Sequence, residues 1–86
     1  MAHASHPAIL KRLKRAQGHV ASIIVMIEEG RPCLDLAQQL HAVEAALSAA
    51  KRELIQDHME ACLDNEAHTG GARAAIAEFR ALAKYL

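Results

Sequence analysis

Aromatic residues are nearly absent: Phe79 and Tyr85 are the only two, and there is no tryptophan. Lacking large rings and long β-branched runs, an apolar fraction of 52% carried by Ala, Leu, Ile and Val reads as helix rather than sheet. Cysteine is scarce too, with two in 86 residues. That excludes a disulfide-stapled scaffold in a chain close to the lower size at which one domain buries enough surface to stand alone. Obligate oligomerisation is the expected solution. No apolar run reaches membrane-spanning length, and residues 1–6 contain no hydrophobic signal segment, so a cytoplasmic protein without a membrane partner is expected. Net charge is also absent, at a formal value of zero, which argues against wholesale coating of nucleic acid. No carboxylate pair and no Ser/His/Asp set stands out. The chain is expected not to be an enzyme and to take no small-molecule substrate.

What is present begins with His58 and Cys62. Residues four apart on an α-helix lie one above the other, so this imidazole and thiol converge on one point. Together they suit Cu(I) or Zn(II), and less typically Ni(II) or Co(II). The only other thiol is Cys33, at the far end of the same helical segment. With a rise of about 1.5 Å per residue, Cys33 and Cys62 lie roughly 40 Å apart in one chain. They meet only when a second copy packs antiparallel to the first, which predicts a site assembled between subunits.

The periodicity predicts one domain over residues 1–86, all-α, with three helices. Pro7 opens the first helix with Ser5 or His6 near its cap, Ile9, Leu13, Ala16, Val20, Ile23, Ile24 and Ile27 follow at helical spacing, and Gly30 before Arg31-Pro32 ends it. The second runs from about Pro32-Cys33 to about Asn65, with Leu36, Val43 and Ala50 alternating with Leu40, Leu47 and Leu54 in heptad register. The stretch from Asn65 through Thr69-Gly70-Gly71 is read as a turn. A short third helix is expected from about Ala72 to Tyr85, with Ile76, Phe79, Leu82 and Ala83 as its apolar face. Two hairpins of the first two helices make an antiparallel four-helix bundle.

Charge is unevenly placed. Lys11, Arg12, Lys14 and Arg15 precede every acidic residue, the first of which is Glu28. Four cations with no intervening acid give a surface that contacts phosphates through counterion release. A solvated face of an amphipathic helix would carry the same charges.

The segment from Leu10 to His19 (LKRLKRAQGH), then Cys33, then Gln38-Gln39-Leu40-His41-Ala42-Val43, then His58-x3-Cys62, resembles the CsoR/RcnR family of bacterial metal-responsive repressors over nearly the whole chain. The resemblance implies an all-α dimer that pairs into a homotetramer, a dimer of dimers. It implies a cytoplasmic protein that binds operator DNA without a helix-turn-helix and leaves it on loading an inducer. Carried over by position, Cys33 comes from one protomer and His58 and Cys62 from another, which is the ligand set of the copper-sensing branch. Two thiolates and one imidazole are soft and few enough to favour Cu(I). Glu78 matches an acidic residue that the third helix directs towards the liganding histidine. Lys11, Arg12, Lys14 and Arg15 then belong to the DNA face, with Arg52 matching a further basic position of it. Pro32 departs from the pattern, standing where copper sensors often carry a tyrosine.

Other branches set the rivals. Nickel and cobalt sensors of the family add N-terminal donors, and His3 and His6 lie in the segment that would supply them here. Persulfide sensors use two cysteines at this separation but generally lack the histidine, so His58 argues against them. Formaldehyde sensors need an N-terminal proline amine, which Pro7 does not offer. A metal-trafficking bundle would use the same site without touching DNA, and would have no need of the basic face.

Overall fold

The computed structural model describes residues 6–69 and 72–86, with the side chains of residues 62–69 and 72 outside the description. Three helices make up the chain: α1 spans His6–Glu28, α2 Cys33–Thr69 and α3 Ala72–Ala83. Among the described residues there is no strand. α1 and α2 form an antiparallel hairpin, and α3 packs on α2.

The turn between α1 and α2 is built as the sequence requires. Gly30 takes a left-handed φ of 76°, its N–H donates to the Ile27 carbonyl (3.0 Å), and Arg31 N–H donates to Met26 (3.1 Å). That pair of bonds is the Schellman arrangement, satisfying carbonyls the helix end would leave orphaned. The Pro32 carbonyl then accepts from Leu36 N–H (3.2 Å), so α2 starts with Cys33 in its first turn.

Two boundaries differ from expectation. α2 runs on to Thr69, four residues past Asn65. Asp64, Asn65 and Glu66 carry only small helix penalties, too small to break a ladder already running. α3 ends at Ala83 and not Tyr85. Its packed side is also rotated: Ala75 is buried and Phe79 and Leu82 are half-buried, whereas Ile76 is 53% exposed and Ala83 is exposed.

Shape decides how much this chain can bury. The molecule measures 57 × 23 × 13 Å. The long dimension is that of α2, whose 37 residues span roughly 55 Å at the α-helical rise. The short one is about a single helix diameter. A layer one helix thick cannot enclose a core, and the buried set is correspondingly small: Ile9, Ala16, Ile23, Val43, Ala50, Ile55 and Ala75.

Seven-residue spacing organises both helices of the hairpin. In α1, Ile9, Ala16 and Ile23 are buried against α2, while Leu13, Val20 and Ile27 on the neighbouring stripe are exposed. In α2, Val43 and Ala50 are buried under α1, while Leu40, Leu47 and Leu54 are 41–51% exposed. The heptad apolar pattern of α2 is therefore only partly covered within the chain. The exposed stripes of α1 and α2 lie on one face of the hairpin and are open to water, the kind of surface that marks an interaction site.

Leu47→Glu is accordingly expected to convert the native oligomer into smaller species in sedimentation velocity while helicity is retained. Ile23→Ala, inside the hairpin, is expected instead to lower unfolding stability by about 2–5 kcal/mol in denaturant titration.

Candidate metal centre and nucleic-acid interface

The candidate ligands lie along α2. Cys33 is its first residue, a free and exposed thiol. It stands seven residues before Leu40, and so at the N-terminal end of the exposed stripe Leu40–Leu47–Leu54. His58 follows Leu54 by one helical turn, on the same side of the helix. Twenty-five residues of helix separate Cys33 from His58, roughly 37 Å. Among the described residues no three His, Cys, Asp or Glu side chains of one chain converge on a metal position. The side chain of Cys62, and His3 altogether, lie outside the described residues.

His58 is oriented by α3. Its Nε2 hydrogen-bonds Oε1 of Glu78 at 2.5 Å, with the two side chains 34% and 45% exposed. Glu78 thus stands beside His58. Beside them is a cavity of about 250 Å³ lined by His6, Leu54, Ile55, His58, Glu78 and Leu82. All three helices contribute, and the start of α1 brings a second imidazole to the cavity that holds His58. A carboxylate accepting from Nε2–H fixes the ring's tautomer and orientation. The donor chemistry fits a soft or borderline ion, provided the thiolates come from two chains.

The basic residues occupy the other edge of the hairpin. Arg12 and His19, seven apart on α1, face Glu53 and Gln39, two members of the α2 stripe Gln39–Ala46–Glu53. Arg12 pairs with Glu53 at 2.5 Å, and His19 Nε2 lies 2.6 Å from Gln39 Oε1. Between them a cavity of about 380 Å³ is lined by Arg12, Arg15, Ala16, His19, Ala46 and Ala49. Lys11, Lys14 and Arg52 are exposed but do not line it. Glu53 and Gln39 were not legible as members of this surface, because their partners are 41 and 20 residues away in sequence. The buried stripe Val43–Ala50 runs between the two edges of α2, so the thiol–imidazole side and the arginine side flank one core seam.

A thin helical hairpin with a thiol and an imidazole along one side of α2 and arginines on the opposite side narrows the class to small helical proteins, and likeness to known proteins defines it further. Residues 5–85 match the family model described as metal-sensitive transcriptional repressor, and the chain belongs to that family, CsoR/RcnR. It is a family of repressors and not of enzymes. The copper-sensing transcriptional repressor CsoR of Mycobacterium ulcerans (strain Agy99) is 41% identical over 83% of this chain and 61% of its own length. CsoR of Bacillus subtilis (strain 168) is 37% identical over 81% of this chain and 69% of its own. The chain thus spans about 61% of the mycobacterial relative. The solved structure of the nickel-responsive transcriptional regulator InrS superposes with a TM-score of 0.86 at 30% identity, covering 100% of this chain and 98% of that one. No helix among the described residues is long and apolar enough to cross a membrane.

Because the His58–Glu78 pair is partly exposed, it contributes little to stability. Glu78→Gln is expected to shift the unfolding free energy by less than about 1 kcal/mol in denaturant titration. Its effect should appear instead in the His58 ring, as a changed tautomer ratio in ¹⁵N–¹H spectra of the imidazole.

Proposed function

We propose that this protein is a Cu(I)-responsive transcriptional repressor of the cytoplasm, a homotetramer that holds operator DNA when metal-free and releases it on loading metal. Cys33 of one protomer with His58 and Cys62 of another would hold the ion. One observation carries the reading: Cys33 and His58 stand at opposite ends of the one exposed apolar stripe of α2. When two α2 helices pair antiparallel across that stripe with Leu47 near the two-fold axis, Leu40 meets the second copy's Leu54. The same register brings Cys33 opposite residues 58–62, since the midpoint of 33 and 61 falls at Leu47. Burial of the apolar face and assembly of the ligand set are then one event.

Two thiolates and one imidazole favour Cu(I) over ions that seek six harder ligands, and the curated relatives named above are copper sensors. Bound metal supplies a cross-link between protomers at the ends of α2. His58 carries that constraint to α3 through Glu78. Arg12, Lys14 and Arg15, with Lys11 and Arg52, hold phosphates of the operator, where contacts position the protein and DNA shape selects the site.

A nickel- or cobalt-responsive reading has its own support. His6 lines the cavity beside His58 and Glu78, and the solved relative is nickel-responsive. Added nitrogen donors raise the coordination number and harden the site.

The test is an anaerobic titration of the reduced protein with Cu(I) against a competing chelator, read together with binding to its own promoter region. One Cu(I) per protomer with loss of DNA binding is expected. Cys33→Ala should bind DNA as the parent does and no longer release it with copper; loss of DNA binding by that variant without metal would count against the assignment. His6→Ala should leave Cu(I) affinity unchanged, and a large fall in Ni(II) affinity with no Cu(I) response would favour the nickel reading.

A further inference from the structure

We propose that Glu53 is an internal competitor for DNA phosphate: it occupies Arg12 at the rim of the α1–α2 notch and must be displaced when a phosphate seats there. The inference rests on the operator-binding reading above and adds to it a residue of opposite charge.

The notch has the features of an oxyanion seat. Its floor is Ala16, Ala46 and Ala49, small side chains that leave the space open, and its walls carry Arg12, Arg15 and His19. His19 is held at the rim by Gln39. Of the segment Lys11, Arg12, Lys14 and Arg15, the described ion pairs give a carboxylate to Arg12 alone, that of Glu53. A guanidinium fork takes a carboxylate and a phosphate with the same geometry, so Glu53 stands where phosphate oxygens would. The pair is also built to exchange. Its side chains are 53% and 35% exposed, and such exposed pairs are weak. Binding at Arg12 is therefore substitution of one anion for another, and loss of the internal pair offsets part of the gain.

The experiment uses the full chain, reduced and metal-free, with fluorescence anisotropy on a duplex from its own promoter region and on an unrelated duplex, over a range of salt. Glu53→Gln is expected to bind both duplexes about two- to fivefold more tightly at low salt, because the contact is to the backbone. The slope of log K against log salt should stay close to the parent's, because displacement of Glu53 leaves the same number of phosphates neutralised in both. In an Arg12→Ala background the same substitution should give less than half of that gain, which separates competition at Arg12 from a general loss of negative charge. Unchanged or weaker binding by Glu53→Gln, or an equal gain in both backgrounds, overturns the proposal while leaving operator binding standing. Absence of DNA binding by the parent chain in every metal state overturns both.

Discussion

Everything in this protein depends on the thinness of its fold. A hairpin one helix thick has two broad faces and two edges, and a chain this short can bury only the seam where its helices touch. Ile9, Ala16 and Ile23 meet Val43 and Ala50 along that seam, and the alanines let the helices approach closely. Leu13, Val20, Ile27, Leu40, Leu47 and Leu54 are left in water. At about 25 cal/mol per Å² of apolar surface, leaving so many such side chains in water forfeits more than a domain of this size can spare. In the proposed tetramer association would be part of folding, and a ligand set divided between subunits would cost nothing extra in architecture.

That constraint explains how much the sequence disclosed. Heptad spacing in α2 and the Gly30 stop follow from local rules of backbone and period, and they were legible. Which heptad stripe faces which partner was not. Leu40, Leu47 and Leu54 are as apolar as Val43, and no local feature distinguishes an interior neighbour from a second copy. The hairpin register decides it. The Arg12–Glu53 and His19–Gln39 contacts were invisible for the same reason, since each joins residues whose proximity is set by the turn at Gly30. Glu78 is the intermediate case: resemblance implied its role, and only the packing of α3 on α2 brings its carboxylate to Nε2 of His58. The overlong reading of the turn after Asn65 has a simpler cause, because polar residues at the end of a long helix look like loop in sequence and cost little in helix.

The arrangement of stripes on α2 also bears on how the two edges communicate. Cys33, Leu40, Leu47 and Leu54 run along one side, Gln39, Ala46 and Glu53 along another, and the buried Val43–Ala50 stripe lies between them. A rotation or slide of α2 that tightens one edge must alter the other, because packed seams shift between discrete arrangements and do not stretch continuously. On the proposed function, metal would act on DNA only to the extent that it bound one arrangement of α2 better than the other, and DNA would weaken metal by the same factor.

This places Glu53 in an informative position. It lies five residues before His58 on the same helix, and its carboxylate holds an arginine of the first helix. The proposed competitor for phosphate is therefore carried by the same helix as the proposed ligand His58. A movement of α2 towards Arg12 would strengthen the internal pair and weaken the phosphate contact, and a movement away would do the reverse. Because the pair is exposed and weak, a small displacement is enough to change its occupancy, whereas a buried pair would resist exchange in either arrangement. Coupling between the two edges then needs no chain of intermediates, only one rigid helix with a ligand on one side and a competitor on the other.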